Sequence, residues 1–398
     1  MKLYTLHLLL CLLSLPACGQ NQLTTGQKEA DFDYLYEILA GNYPYFGVCQ
    51  RQTGTDWLSN KEQYTARLVK TPTDQAYLAE LESILAELGC KHIDLSPTRH
   101  WNKFRDVYAE VSRYNPSYRH WADILNQCAG KTSYWNSLLA NNNLIPAAYH
   151  EPPYALPATH YRDSITPDGR IGIMRIASFE VRHLEADFHR IENFLNHITD
   201  AEYLIIDLQG NKGGTTQYWI KNLVNRLIQL PIASQPNLTI KTGSHNRRFY
   251  PWYCNAGTTL TKNERLPRIP AEFLDGSYLH IHESTMIYPF HPIPFGGSII
   301  LLIDGQTSSA ADEFAVFCKS TGWATVAGET SAGGGIGGDP ALIQLPGSGI
   351  IVRYPALTGF NPDGSINMEA CTAPNVPVRG ASADERLANT IRLVLTKP

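Results

Sequence analysis

Two adjacent serines, Ser308 and Ser309, stand between an apolar run at 299–303 and a stretch in which Ala311, Phe314, Ala315 and Cys318 recur at helical spacing. A serine in that position does one of two things. Its oxygen caps a helix by accepting the unpaired amides of the first turn, or it attacks an electrophile whose growing negative charge those amides stabilise. Further groups of chemical interest lie along the chain. The segment LIIDLQGNKGG closes an apolar run with Asp207, Gly210, Asn211, Gly213 and Gly214. Glycines there make a tight turn, or bring backbone amides close to a neighbour. A phosphate cradle fits poorly, because no Gly-Lys-Ser/Thr follows and the spacing is not G-x-G-x-x-G. A second glycine-rich segment, GETSAGGGIGGDP, spans 328–340, and Glu369 stands among small residues in 361–375. His92 directly follows an amphipathic stretch. Each of these groups alone has a structural reading beside the catalytic one.

The elements that would hold them differ between the two halves of the chain. Before residue 150 the pattern is helical, with Phe32, Leu35, Ile38 and Leu39 on one face and Leu78, Leu81, Leu85 and Leu88 on another. Residues 93–150 are rich in Trp and Tyr and read as mostly helical, and the Pro-rich segment from His150 reads as a linker or surface loop. From residue 170 short apolar runs (RIGIMRIASF, YLIIDLQG, SIILLID, ATVAGE, GIIVRYP) alternate with helical stretches. That alternation predicts an α/β domain with buried strands.

A chain of 398 residues suits two domains rather than one small core. Its 43% hydrophobic and 18% charged content is that of an ordinary globular protein, and a net charge of −4 without a long basic run argues against nucleic acid as a partner. The N-terminus carries one Lys, an apolar run at 8–15 and then small residues, too short to span a bilayer and suited to a signal peptide. The order Leu15, Pro16, Ala17, Cys18 also resembles a bacterial lipobox, with Cys18 as the lipidated first mature residue and a polar tether behind it. The expectation is an exported lipoprotein of the cell envelope, its membrane contact confined to that anchor. Of eight cysteines, six lie beyond the leader (Cys49, Cys90, Cys128, Cys254, Cys318, Cys371), and spacing alone assigns no pairs. No CxxC or HExxH occurs, and HEPPY at His150 lacks a second His one helical turn on, so no metal site is expected.

Taken in order, LGCKH, IGIMRIASF, DLQGNKGG, TSSAADEF, GETSAGGG and EACTAPN resemble the tail-specific, or C-terminal processing, serine peptidases over roughly residues 31–380. The likeness is to the branch without a PDZ module, similar to the tricorn protease core and interphotoreceptor retinoid-binding protein. It implies a spiral β-α peptidase domain of clp/crotonase type over 166–398, behind a mainly helical N-terminal domain over 31–165 that carries His92. Residues 1–17 would be the lipoprotein signal peptide and 18–30 the tether. It also implies Ser309 as nucleophile, since the family serine directly precedes Ala-Ala, with Ala310 and Gly213 or Gly214 as oxyanion donors.

Ser-Lys members of this family carry a lysine base where Gly334 stands here. The tricorn-like branch uses instead a His from the N-terminal region and a Glu near the C-terminus, which match His92 and Glu369. Imidazole would accept the serine proton, and a carboxylate would orient it and stabilise the imidazolium. The resemblance therefore implies hydrolysis of peptide or protein substrates by Ser309, His92 and Glu369, with no cofactor. Lys91 beside His92, and Cys371 where glycine is usual, depart from the family pattern. Two other readings stay open: a binding protein on the same fold without proteolysis, and an acyl-CoA enzyme of crotonase type that needs no serine.

Overall fold

The computed structural model describes residues 22–90, 92–95, 101–127, 129–140, 160–260 and 266–396. Cys18, Lys91, Cys128 and His150 lie outside them.

The first helix, α1 (Thr25–Asn42), starts inside the stretch expected to be tether. The reason is local: Thr24 and Gln27 cap each other, with side-chain to backbone distances of 3.2 and 2.9 Å. It is followed by α2 (Phe46–Thr53), α3 (Lys61–Val69) and α4 (Asp74–Ala86), the last capped by Thr73 and burying Tyr77, Leu78, Leu81, Ile84 and Leu85. A short strand β1 (Asp94–Leu95) leads to α5 (Trp101–Tyr114), α6 (Arg119–Gln127) and α7 (Ala129–Ala140). These helices share one hydrophobic core with residues drawn from 238–366.

Next come β2 (Tyr161–Ile165), β3 (Ile171–Ile176), α8 (Val181–His197) and β4 (Tyr203–Asp207). A continuous rod of α9 (Thr216–Trp219), a π turn (Ile220–Val224) and α10 (Asn225–Leu227) follows. Between it and the serines lie β5 (Ile232–Ser234), β6 (Asn237–Lys241), α11 (Ser244–Phe249), α12 (Pro251–Ala256), β7 (Thr258–Thr259), β8 (Tyr278–His282), β9 (Thr285–Ile287) and β10 (Ser298–Ile303). The chain ends with α13 (Ala310–Thr321), β11 (Thr325–Gly328), β12 (Ala341–Gln344), β13 (Ile351–Tyr354), β14 (Leu357–Phe360), α14 (Asn367–Ala370), β15 (Val376–Pro377) and α15 (Ala383–Thr396).

The central sheet runs β15-β11-β10-β4-β3-β2 and is parallel except for β2. One face packs on α8, the α9–α10 rod and α13, the other on α15. Burial on both faces explains why β4 and β10 read as unbroken apolar runs. Strand β2 falls in the segment expected to be a loop: only Tyr161 of its five residues is buried, so this edge strand carries little apolar signal. Three smaller sheets, β1-β13-β12, β14-β6-β8-β7 and β5-β9, complete the fold. Among the described residues no helix is long and apolar enough to cross a membrane.

Candidate active site

Strand β10 delivers the serines. Asp304, at its end, accepts the amides of Gly210, Gln306 and Thr307 at 3.0, 3.0 and 3.2 Å, and so ties this turn to the loop after β4. Ser308 then donates its amide to Asn211 O at 3.1 Å, and Ser309 donates its amide to Gly333 O at 3.3 Å. Ser309 occupies the N-cap of α13, yet its side chain makes no capping bond. Its backbone sits at φ 54°, ψ −134°, a region that costs a non-glycine residue on the order of 1–3 kcal/mol. The capping explanation for this serine therefore fails, and its hydroxyl is carried on a strained turn at the head of a helix.

The loop after β4 closes against that turn. A Cβ on Gly213 would lie 2.7 Å from Ala310 N and 2.8 Å from Ser309 Cβ, so only glycine fits. Gly214, at φ 145°, is wedged onto the backbone of Phe179, which donates to Gly213 O at 2.9 Å and accepts from Thr215 N at 2.8 Å. The Gly213 amide is already taken by Asn211 Oδ1 at 2.8 Å. Among the described residues the amides of Gly214 and Ala310 meet no protein acceptor. Of the two glycines expected to donate, Gly213 therefore has its amide engaged, whereas Gly214 and Ala310 present theirs without a protein acceptor.

The glycine-rich loop after β11 connects the serine to the histidine. Gly333 receives the Ser309 amide, and a Cβ on the next residue, Gly334, would lie 2.7 Å from His92 Nε2. The backbone at His92 is set by its chain neighbours. Gly89 ends the α4 segment at φ 67°, and the Cys90 thiol, buried and therefore raised in pKa, faces the backbone amides of His92 and Ile93. Beyond it β1 pairs with β13, where Arg353 grips Asp94 at 2.9 and 2.6 Å.

Helix α14 carries Glu369 to the same loop: Met368 Cε lies 3.6 Å, and Cys371 Sγ 3.1 Å, from Cβ positions built on Gly334 and Gly333. The Glu369 carboxylate, however, is bound by Arg51 of α2, Nε to Oε1 and Nη2 to Oε2, both at 2.8 Å. Arg51 also donates to Glu272 at 2.5 Å. In this structure Glu369 bonds Arg51 and not His92, because the bidentate fork of a guanidinium matches a carboxylate better than one imidazole N–H does.

Two acids of α13 have roles that no motif signalled. Asp312 is fully buried; it accepts from Ser331 Oγ, from Gly335 N at 3.1 Å and from Asn367 Nδ2 at 2.9 Å, and so holds the glycine loop and α14 to the serine helix. Glu313 accepts from Thr216 Oγ1 at 2.6 Å, and its carboxyl is pushed up to about 7, chiefly by burial, with Glu283 and Asp312 adding to the rise. The described cysteines Cys49, Cys90, Cys254 and Cys318 are free thiols.

Residues 170–378, just over half of the chain, match the model described as Peptidase family S41. Among solved structures, one from Parabacteroides merdae ATCC 43184 described as a peptidase is similar at 17% identity and a TM-score of 0.58, over 93% of this chain and 98% of that one. Mature CPAF is similar at 13% identity and a TM-score of 0.55, over 93% and 96% of the two chains. Its complex with lactacystin gives 14% and 0.56, over 93% and 97%. The expected architecture, a helical region ahead of a clp/crotonase-like peptidase domain, is the one found.

Proposed function

Because the chain belongs to peptidase family S41, a family of serine hydrolases, we propose that it cleaves peptide bonds with a Ser-His-Glu set rather than a Ser-Lys pair. His92 Nε2 takes the proton of Ser309 Oγ as the oxygen attacks the scissile carbonyl carbon. The carbonyl oxygen gains its charge between the amides of Gly214 and Ala310. His92 then gives the proton to the departing amine, and water repeats the sequence to release the acyl group from Ser309. Glu369 orients His92 and stabilises its imidazolium during these steps. The observation that carries the reading is the 2.7 Å between His92 Nε2 and a Cβ on Gly334. A lysine side chain has no room to leave the backbone there, and an imidazole edge fills the space.

A serine-directed fluorophosphonate tests it. Ser309→Ala should lose labelling and cut kcat on a peptide by about 10⁴-fold or more, whereas Ser308→Ala keeps both. Wild-type protein that neither labels nor hydrolyses any peptide would favour a binding protein on this fold. The reading extends to the leader: the protein is exported and held at a membrane through Cys18. Mass spectrometry of the mature N-terminus should find Cys18 first and lipidated, and an unmodified N-terminus elsewhere removes the anchor.

A further inference from the structure

The Glu369 carboxylate has Arg51 as its hydrogen-bonding partner, with both oxygens engaged at 2.8 Å. Arg51 has a second carboxylate in hand, Glu272 from the 3-10 turn Ala271–Leu274. Room for that second partner is made by Gly47 of α2, where a Cβ would come within 2.5 Å of Glu272 Oε1. The three side chains are 39%, 34% and 26% exposed, so the cluster sits at the rim of the site and can rearrange without unfolding it. A guanidinium holding two carboxylates gives one up more easily than a guanidinium with one, since its charge stays paired.

Building on the Ser-His-Glu reading, we propose that Arg51 is a positioning residue that holds Glu369 off His92 at rest, and that Glu272 keeps Arg51 paired when Glu369 swings to the imidazole. The charged group bonded to Glu369 is Arg51 from α2, which also holds Glu272 from the 3-10 turn, and the Cys371 thiol, from the residue after α14, lies against Gly333. On the His92 side Asp94 is closed in its own pair with Arg353. Asp312, on α13, is separated from Glu369 by the Asn367 amide it accepts from.

Two variants have opposite expected signs. Arg51→Met frees Glu369: kcat/KM rises about fivefold, the scale of a partly exposed ion pair. Its acid limb moves to higher pH, because an unpaired carboxylate beside His92 favours the imidazolium. Glu272→Gln leaves Arg51 with Glu369 alone: kcat/KM falls about threefold and the limb moves to lower pH. Melting temperatures are followed for both, since a merely structural cluster would lower stability and activity together in either variant. A loss of activity in Arg51→Met, or a limb that stays put in both variants, overturns the proposal. His92→Ala separates this from the wider reading. If it keeps full activity, the Ser-His-Glu reading falls and takes this inference with it. If it is inactive while the Arg51 and Glu272 variants match wild type, only the role of Arg51 is lost.

Discussion

The serine side and the histidine side of the site are built from different materials. Around Ser309 backbone pairs (Ser308 N to Asn211 O, Ser309 N to Gly333 O, and Phe179 locked to Gly213 and Thr215) are reinforced by the buried carboxylates of Asp304 and Asp312. Those loops hang from the ends of β3, β4, β10 and β11, successive strands of a sheet buried on both faces. On the other side Arg51 of α2, Glu272 of the 3-10 turn and Glu369 of α14 meet through side-chain ion pairs drawn from separate elements. The first half cannot adjust without moving strands, whereas the second can change partners by rotating side chains. On the proposed Ser-His-Glu reading, such a site would keep its oxyanion geometry fixed and leave the base's environment adjustable.

One methyl group placed on each half breaks the symmetry of that statement. Gly214→Ala puts a Cβ into the Phe179 backbone at φ 145°, a position with no side chain to yield. The oxyanion loop must shift, and kcat should fall by about 10²–10³, the cost of losing one donor. Gly334→Ala puts its Cβ 2.7 Å from His92 Nε2, the end of a side chain that can swing aside. Its kcat should fall by about tenfold to a hundredfold, within the range of displacing a general base. Fluorophosphonate labelling should stay slow in Gly214→Ala at every pH and partly recover in Gly334→Ala as pH rises. Equal losses with the same pH dependence would show that the two halves are equally rigid.

The same division decides what could be read in the sequence. The strands β3, β4, β10, β11 and β13 were legible because each is an apolar run framed by turn residues. The strands between 232 and 287 were not, since they are short and, apart from β6, partly exposed, and β2 shows one buried residue in five. Ser309, Ala310 and the Gly213–Gly214 pair stood out as a motif because a strained serine turn and a glycine loop packed against it need those residue types at those spacings. Arg51 was not: its partner Glu369 is 318 positions away, and nothing local distinguishes it from any helix arginine. Asp312 is an acid in the first turn of α13, and its role depends on Asn367 and Ser331 folding back over it. Glu369 stood out by its place in EACTAPN, but its bond to Arg51 depends on the fold.

The smallest expected effect separates stability from catalysis on the rigid half. Glu313 sits one helical turn beyond Ser309, and its carboxyl is raised from 4.5 to about 7, chiefly by burial. A carboxyl whose folded pKa lies above its unfolded one binds more protons when folded, so folding stability falls as pH rises from about 4.5 to about 7 and levels off above that. Glu313→Gln removes the charge and keeps an oxygen for Thr216 Oγ1, which now donates at 2.6 Å. The variant should match wild type near pH 4 and exceed it by about 1–2 kcal/mol at pH 8, read from urea midpoints at the two pH values. Its kcat should stay within about twofold of wild type, because Glu313 bonds neither the Gly213–Gly214 loop nor His92. A stability gain equal at both pH values would mean that the carboxylate's charge is not what strains this helix. A large fall in kcat would move Glu313 from the scaffold into the chemistry.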